Sequence, residues 1–506
     1  MRFFRRRTNK AKKQDGKGQE TRGLEVALLD EVKHEGCPIC AATASHDKRY
    51  FSWFTIETYH EPAFLDRFEA SFGFCRRHGA FLDEQGQLGS QLTFVHDYIA
   101  GKASKRLSKY LSGEKRDFNA LFPGFGDCPV CSSAEKSTAR TLWFFNKLLE
   151  EGSAFSDYGH PGILCFPHFQ LLALVAAPAV LHRLLPIHTS AMATARNDME
   201  HARPSQIQAG IKSDLCERGL HLSVGLLSGA EDNMYFHRIY HGVSNRNPVA
   251  DFVASLKDSD GCPVCLEKHL AMSQWINWLN EKISTMDHID AMLDVLPACR
   301  EHVLAYVHLG RPPVQFAAVY GALKAAQDKA LTSSKQLRRL QEKREMPLWQ
   351  RFKRKSRNTG MTREIDPWKT IIEPVRCPLC TRLKVAEKRA IDLLFALLRE
   401  RRHRMAFEDG YGLCVKHFIE AAKRAPSHDM RAFLARVESA KLARLQWELD
   451  ETMRKTAWDT RPETKGSEQM AWHRAIARFS GSTPARKIGE KSGLDSGQGE
   501  ISTDKG

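Results

Sequence analysis

Apolar side chains recur at spacings of three and four residues in four stretches of the chain. They are Phe51, Trp53, Phe54 and Ile56; Leu142, Trp143, Phe144, Phe145 and Leu148; Trp275, Ile276, Trp278 and Leu279; and Ile391, Leu393, Leu394, Phe395 and Leu397. This spacing gathers each set on one face, which predicts four amphipathic helices that each bury one side. Residues 151–162 and 408–412 are polar and carry glycine, as return loops do. Each leads into a second helical start, at Phe169-Gln170-Leu171-Leu172 and at Phe418-Ile419-Glu420-Ala421. Shorter helical patterns cover residues 24–32 and 249–256. No run alternates β-branched and polar residues between hairpin turns, so the fold class predicted is all-α.

The cysteines give these helices a common frame. Twelve of the 13 fall into one pattern that occurs four times: Cys-Pro-x-Cys, then 33 or 34 residues, then Cys-x-x-His. The copies are Cys37, Cys40, Cys75 and His78; Cys128, Cys131, Cys165 and His168; Cys262, Cys265, Cys299 and His302; and Cys377, Cys380, Cys414 and His417. Two cysteines separated by two residues aim both sulfurs at one point, and the proline stiffens that turn by fixing φ. Cys-x-x-His at a helix start adds a thiolate and an imidazole one turn apart. Three thiolates and one imidazole make a closed tetrahedral S₃N site, which suits Zn²⁺. The same ligands could carry an iron–sulfur cluster, since His can replace Cys there. Read this way, each 33- or 34-residue interval folds into a hairpin, and each copy of the pattern staples its own hairpin with one ion.

The steps between copies are too irregular for a tight solenoid and fit four related modules with insertions. The predicted division is a basic disordered tail (1–20), module 1 (21–112), module 2 (113–195), an insertion (196–247), module 3 (248–332), a basic linker (333–364), module 4 (365–455) and a disordered tail (456–506). The linker carries ten Lys or Arg against two Glu over residues 333–359, with Trp349 and Phe352 among them. The last stretch is rich in Gly, Ser, Thr and charge, which disfavours a core.

Composition limits the class of function. The chain has 506 residues, 42% hydrophobic and 27% charged, which is ordinary globular material. Its formal net charge is +16. Four Cys₃His sites loaded with Zn²⁺ would each contribute −1 and leave about +12. That balance favours an anionic partner or surface. The segment from Lys335 to Arg357 is a candidate contact for nucleic acid or an anionic membrane, or else a solvated linker broken by Pro347. The N-terminal basic stretch has no apolar region behind it and is not a secretory signal. The most apolar window, residues 163–185, holds His168, Gln170, His182 and Arg183 and reads as a buried helix, not a membrane span. The expected location is the cytoplasm, where thiols stay reduced and CxxC patterns serve metals or catalysis.

Enzyme signatures are absent: there is no GxxxxGK[ST], GxGxxG, HExxH or GxSxG. Cys216, the thirteenth cysteine, has Arg218 and His221 nearby and reads as an inert thiol. The remaining histidines, such as His160, His182, His188, His237 and His241, form no ligand pattern. The paired motifs resemble those of uncharacterised bacterial proteins with repeated CPxC and Gly-Leu/Phe-Cys-x-x-His. Here these are Cys37-Pro38-Ile39-Cys40 with Gly73-Phe74-Cys75-Arg76-Arg77-His78, and Cys377-Pro378-Leu379-Cys380 with Gly412-Leu413-Cys414-Val415-Lys416-His417. The third copy departs, with Leu296-Pro297-Ala298 before Cys299. The resemblance implies a metal-binding helical module and no particular activity. The function expected is a multi-zinc structural scaffold or adaptor for a protein or nucleic-acid partner. The alternatives are an iron–sulfur electron carrier or redox sensor, and a nucleic-acid-binding regulator.

Overall fold

Proline sets where the long helices begin. In each CPxC the proline is the first helical residue, where its missing N–H and fixed φ do no harm. The computed structural model describes residues 28–44, 46–85, 89–153, 158, 162–200, 214–228, 248–257, 261–283, 299–309, 312–345, 377–456, 459–460 and 462–481. Among these there is no strand, only isolated bridges that Gly162 makes with Gly36 and Tyr158.

Module 1 forms α1 (Pro38–Ala44), α2 (His46–Trp53, prolonged by a π-helical stretch Phe54–Thr58), α3 (Pro62–Ser71), α4 (Arg76–Gln85) and α5 (Gly89–Leu111). Module 2 forms α6 (Phe118–Leu121), α7 (Pro129–Glu150), α8 (Phe166–Ala173) and α9 (Pro178–Glu200). Next comes α10 (Asp214–Ser228). Module 3 then forms α11 (Pro248–Lys257), α12 (Pro263–Lys282), α13 (Arg300–Leu309) and α14 (Pro312–Glu345). Module 4 forms α15 (Pro378–Leu397), α16 (Arg401–Asp409), α17 (Val415–Arg424) and α18 (His428–Arg454). A 3₁₀ turn (Ser467–Met470) and α19 (Ala471–Ser480) complete the described chain.

These helices build two hydrophobic cores. Core A gathers Ile39, Phe145, Phe169, Met192, Leu226, Ile276, Tyr306, Leu323 and Leu379. Core B gathers Phe54, Phe74, Ile99, Val130, Val264, Ile391, Phe418, Leu442 and Phe479. Each long helix that starts at a CPxC runs from one core into the other. α7 begins at Val130 in core B and reaches Phe145 in core A, and α12 runs from Val264 in core B to Ile276 in core A. α15 runs the opposite way, from Leu379 in core A to Ile391 in core B, and α1 with α2 does the same from Ile39 to Phe54. Helices of 20 and 22 residues span about 30 Å at 1.5 Å per residue. They pack as antiparallel pairs, α1 and α2 against α7, and α12 against α15.

The two cores repeat one plan. In core B the pairs α4–α5 (module 1) and α17–α18 (module 4) face each other through α5 and α18, and α19 packs on all four helices. In core A the pairs α8–α9 (module 2) and α13–α14 (module 3) face each other through α9 and α14, with α10 packed on all four. The inserted helix fits closely: a Cβ on Gly79 of α4 would collide with Ser480 of α19.

Several sequence expectations change here. The tail from 456 was expected to be disordered, yet α19 buries Trp472, Ile476 and Phe479 in core B. The insertion 196–247 was expected to stand between modules, yet α10 buries Val224, Leu226 and Leu227 in core A. Each helix completes a core by packing on two modules at once, α10 on modules 2 and 3 and α19 on modules 1 and 4, a tertiary role that a local pattern does not show. Residues 335–345 of the expected linker continue α14, while 346–364 lie outside the described residues, as do 1–20. The window 163–185 is not one helix; α8 and α9 divide it at residues 174–177. No described helix is long and apolar enough to cross a membrane. The apolar stretches bury only part of their length: Phe51, Phe54, Phe144 and Phe145 point inward, whereas Trp53, Ile56 and Trp143 are exposed.

Candidate metal centres

Every ligand pair occupies the same place in its helix. The first cysteine of each CPxC and each Cys-x-x-His immediately precedes the helix, as the N-cap. The second cysteine or the histidine is the third helical residue. The carbonyl of the first residue accepts the first helical bond in all eight cases, for example from Ala41 to Cys37, Gly79 to Cys75, Leu266 to Cys262 and Phe418 to Cys414. Side chains at N-cap and N3 point together past the helix end, as in a capping box. There the unpaired N–H groups and the helix dipole favour thiolate. CPxC is therefore a helix entrance and not a free-standing turn.

All sixteen predicted residues come together in four groups of three cysteines and one histidine, but not as each module closing on itself. Site I combines Cys37 and Cys40 with Cys165 and His168, and site II combines Cys75 and His78 with Cys128 and Cys131. Site III combines Cys262 and Cys265 with Cys414 and His417, and site IV combines Cys299 and His302 with Cys377 and Cys380. Modules 1 and 2 thus exchange CPxC pairs, and so do modules 3 and 4. The reason is the length of the intervening helix. It carries the chain about 30 Å away, so a module's Cys-x-x-His arrives in the opposite core and meets its neighbour's CPxC. Sites I and IV lie in core A, II and III in core B.

The geometry is uniform. In site I, His168 Nδ1 lies 3.4, 3.3 and 3.3 Å from the sulfurs of Cys37, Cys40 and Cys165. In site II, His78 Nδ1 lies 3.3, 3.5 and 3.4 Å from Cys75, Cys128 and Cys131. In site III, His417 Nδ1 lies 3.4, 3.3 and 3.3 Å from Cys262, Cys265 and Cys414. In site IV, His302 Nδ1 lies 3.1, 3.4 and 3.3 Å from Cys299, Cys377 and Cys380. Sulfur–sulfur separations are 3.7 Å for Cys40–Cys165 and Cys75–Cys131, 3.9 Å for Cys265–Cys414 and 3.6 Å for Cys299–Cys380. These twelve cysteines are free thiols, since a disulfide needs about 2.05 Å. A tetrahedral ion with bonds of about 2.3 Å to sulfur and about 2.0 Å to nitrogen sets its ligands about 3.5–3.8 Å apart. The donor set therefore fits one small ion per site.

The electrostatics ask for a cation. Burial pushes the Cys37 thiol up to about 12, while hydrogen bonds from Cys165, Cys37 and His168 hold Cys40 far below the ordinary thiol range. Burial works against charging His78. Its contacts with Asp47, Cys128 and Cys75 outweigh that and raise it to about 11. His417 rises to about 9 against burial, through the Cys414 thiolate and Glu387.

Two residues beside the sites were missed by sequence reasoning. His78 Nε2 meets Asp47 Oδ2 at 3.3 Å, and His417 Nε2 meets Glu387 Oε1 at 3.3 Å. Each carboxylate stands ten positions after the first cysteine of a CPxC, a regularity visible only once the exchange is known. Site III is closed further by the end of α19: Cys265 Sγ lies 3.3 Å from the Gly481 carbonyl oxygen. Gly481 ends α19 with φ +69°, and a Cβ there would sit 3.4 Å from Cys414 Sγ. Arg478 is buried against the Tyr411 ring and donates to the carbonyls of Leu413 and Tyr411, bracing the Cys414 entrance. Cys216 lies in the first turn of α10, and its side chain is outside the described residues, as are His160, His237 and His241. His188 is not a ligand; it is buried with Nε2 2.5 Å from the Tyr158 hydroxyl.

The model of a family of unknown function, DUF6062, matches residues 33–201 and 246–486. No curated protein and no solved structure matches the chain.

Proposed function

The chain belongs to that family, which brings no activity with it, so the sites carry the reading: we propose a structural scaffold whose four Cys₃His sites each hold one Zn²⁺ and tie helix starts from different modules together. The observation behind it is the ligand spacing. Four protein donors lie within 4.8 Å of one another at every site, which suits a single closed tetrahedral ion with no position left for substrate or water. Iron–sulfur clusters distribute their ligands over two or four irons, which such tight groups serve less well. Elemental analysis of protein purified with and without air tests the reading. Four zinc ions per chain and no visible absorption are expected. Iron with sulfide, and absorption that bleaches on reduction, would replace zinc by a redox role.

A scaffold acts through its surface, and the charge of +16 favours an acidic protein or nucleic-acid partner. The nucleic-acid version predicts binding that weakens steeply with salt, and again when the Lys and Arg residues between Lys335 and Arg357 are neutralised. Salt-insensitive binding would direct attention to a protein partner.

A further inference from the structure

A histidine that binds a metal through one ring nitrogen is held in place through the other. In core B a carboxylate serves this purpose at both sites. His78 Nε2–H donates to Asp47 and His417 Nε2–H donates to Glu387, each at 3.3 Å, which leaves Nδ1 free to face the sulfurs. The carboxylates are themselves fixed. Asp47 is buried, with Arg77 Nη2 at 2.9 Å and His46 Nδ1 at 3.3 Å, and Glu387 receives Lys268 Nζ at 2.7 Å. Neither carboxylate comes from the chain segments that ligate the same site. Asp47 follows Cys37 of site I by ten residues, and Glu387 follows Cys377 of site IV by ten. The corresponding positions on α7 and α12 are Thr138 and Met272. Among the described residues, no carboxylate pairs with His168 or His302 in core A.

We propose that Asp47 and Glu387 are positioning residues for the metals bound in core B, a support that the described residues do not give the two sites of core A. This rests on the sites holding metal. The carboxylate fixes the tautomer, aims the ring and makes Nδ1 a stronger donor, and losing such a partner typically weakens metal binding about 10–100-fold. Glu387 sits on α15, which opens at site IV, and Asp47 on α2, directly after the α1 that opens at site I, so each carboxylate links the two sites of its pair.

Chelator competition on the full chain tests this, with wild type compared with Asp47→Asn and Glu387→Gln. Metal content measured first separates the two readings: a wild type without stoichiometric metal defeats the scaffold itself. Given four ions, each substitution is expected to weaken one ion about 10–100-fold and leave the other three in place. Cadmium-113 spectra assign the effect, because each site gives its own resonance. Asp47→Asn should move the site II signal and Glu387→Gln the site III signal. Arg77→Gln and Lys268→Gln, which loosen the carboxylates without removing them, should weaken the same ion by less than the carboxylate substitutions do. Unchanged affinity in both carboxylate variants, or an equal fall at all four sites, overturns the proposal. Should Asn at 47 disturb folding, Glu387→Gln alone decides it.

Discussion

At the scale of single residues, a ligand's identity can be read from sequence, but its partner cannot. All sixteen members of the four Cys₃His groups were legible because CPxC and Cys-x-x-His place donors at N-cap and N3, and that geometry is local. Which pair meets which depends on where a helix of 20 or more residues delivers the chain, and local spacing is silent about that. The distinction matters for any substitution. Cys131→Ser removes a ligand from site II, where Cys75 and His78 of module 1 supply the other half. The expected result is three metal ions per chain in place of four, and stability lower by several kcal/mol, since an incomplete site loses much of its binding energy. The loss should appear in core B, in the environment of Phe74 and Phe81, while sites I and IV keep their metal. Wild-type melting temperature with four ions retained would show the ligand set to be wrong. Asp47 and Glu387 escaped the sequence for a related reason: a lone acid on a helix face has no meaning until the histidine opposite is known.

At the scale of elements, helix content and direction follow from apolar spacing and from proline at the first helical position. Beyond the patterned stretches, the long helices α5, α9, α14 and α18 supply much of the two cores. The helices that fill each core, α10 and α19, are the ones sequence patterning missed. α10 takes its hydrophobic partners from modules 2 and 3 on either side of it, and α19 from modules 1 and 4. α19 gives a direct test. Trp472, Ile476 and Phe479 are all nearly fully buried, and burying a large apolar side chain contributes about 1.5–3 kcal/mol. Ending the chain before Ser467 should therefore lower the melting temperature clearly and expose core B, read by near-ultraviolet circular dichroism and dye binding. A truncated protein that melts like the full chain would mean that α19 merely rests on the surface.

At the scale of the whole molecule, a module is not a folding unit. Module 1 alone holds Cys37 and Cys40 at one end and Cys75 and His78 at the other, each half of a different site. A fragment of residues 21–112 should accordingly bind no metal tightly and show little fixed structure, whereas a fragment of residues 21–200 contains all ligands of sites I and II and should bind two ions. Tight one-to-one zinc binding by the single module would contradict the exchange. The exchange also changes what a peptide bond is needed for. Residues 112–117, which join α5 to α6, are exposed and include Lys115 and Arg116. Tryptic cleavage there would separate module 1 from module 2 covalently, yet ions held at sites I and II as proposed would still cross-link the two pieces at opposite ends of a shared helix pair. The nicked protein should elute as one species in gel filtration and run as two bands under denaturing conditions, and a chelator that removes the metal should leave the pieces held by core packing alone and lower the denaturant needed to part them. With ions in place, metal would share with core packing the task of keeping neighbouring modules in one molecule once the backbone is cut.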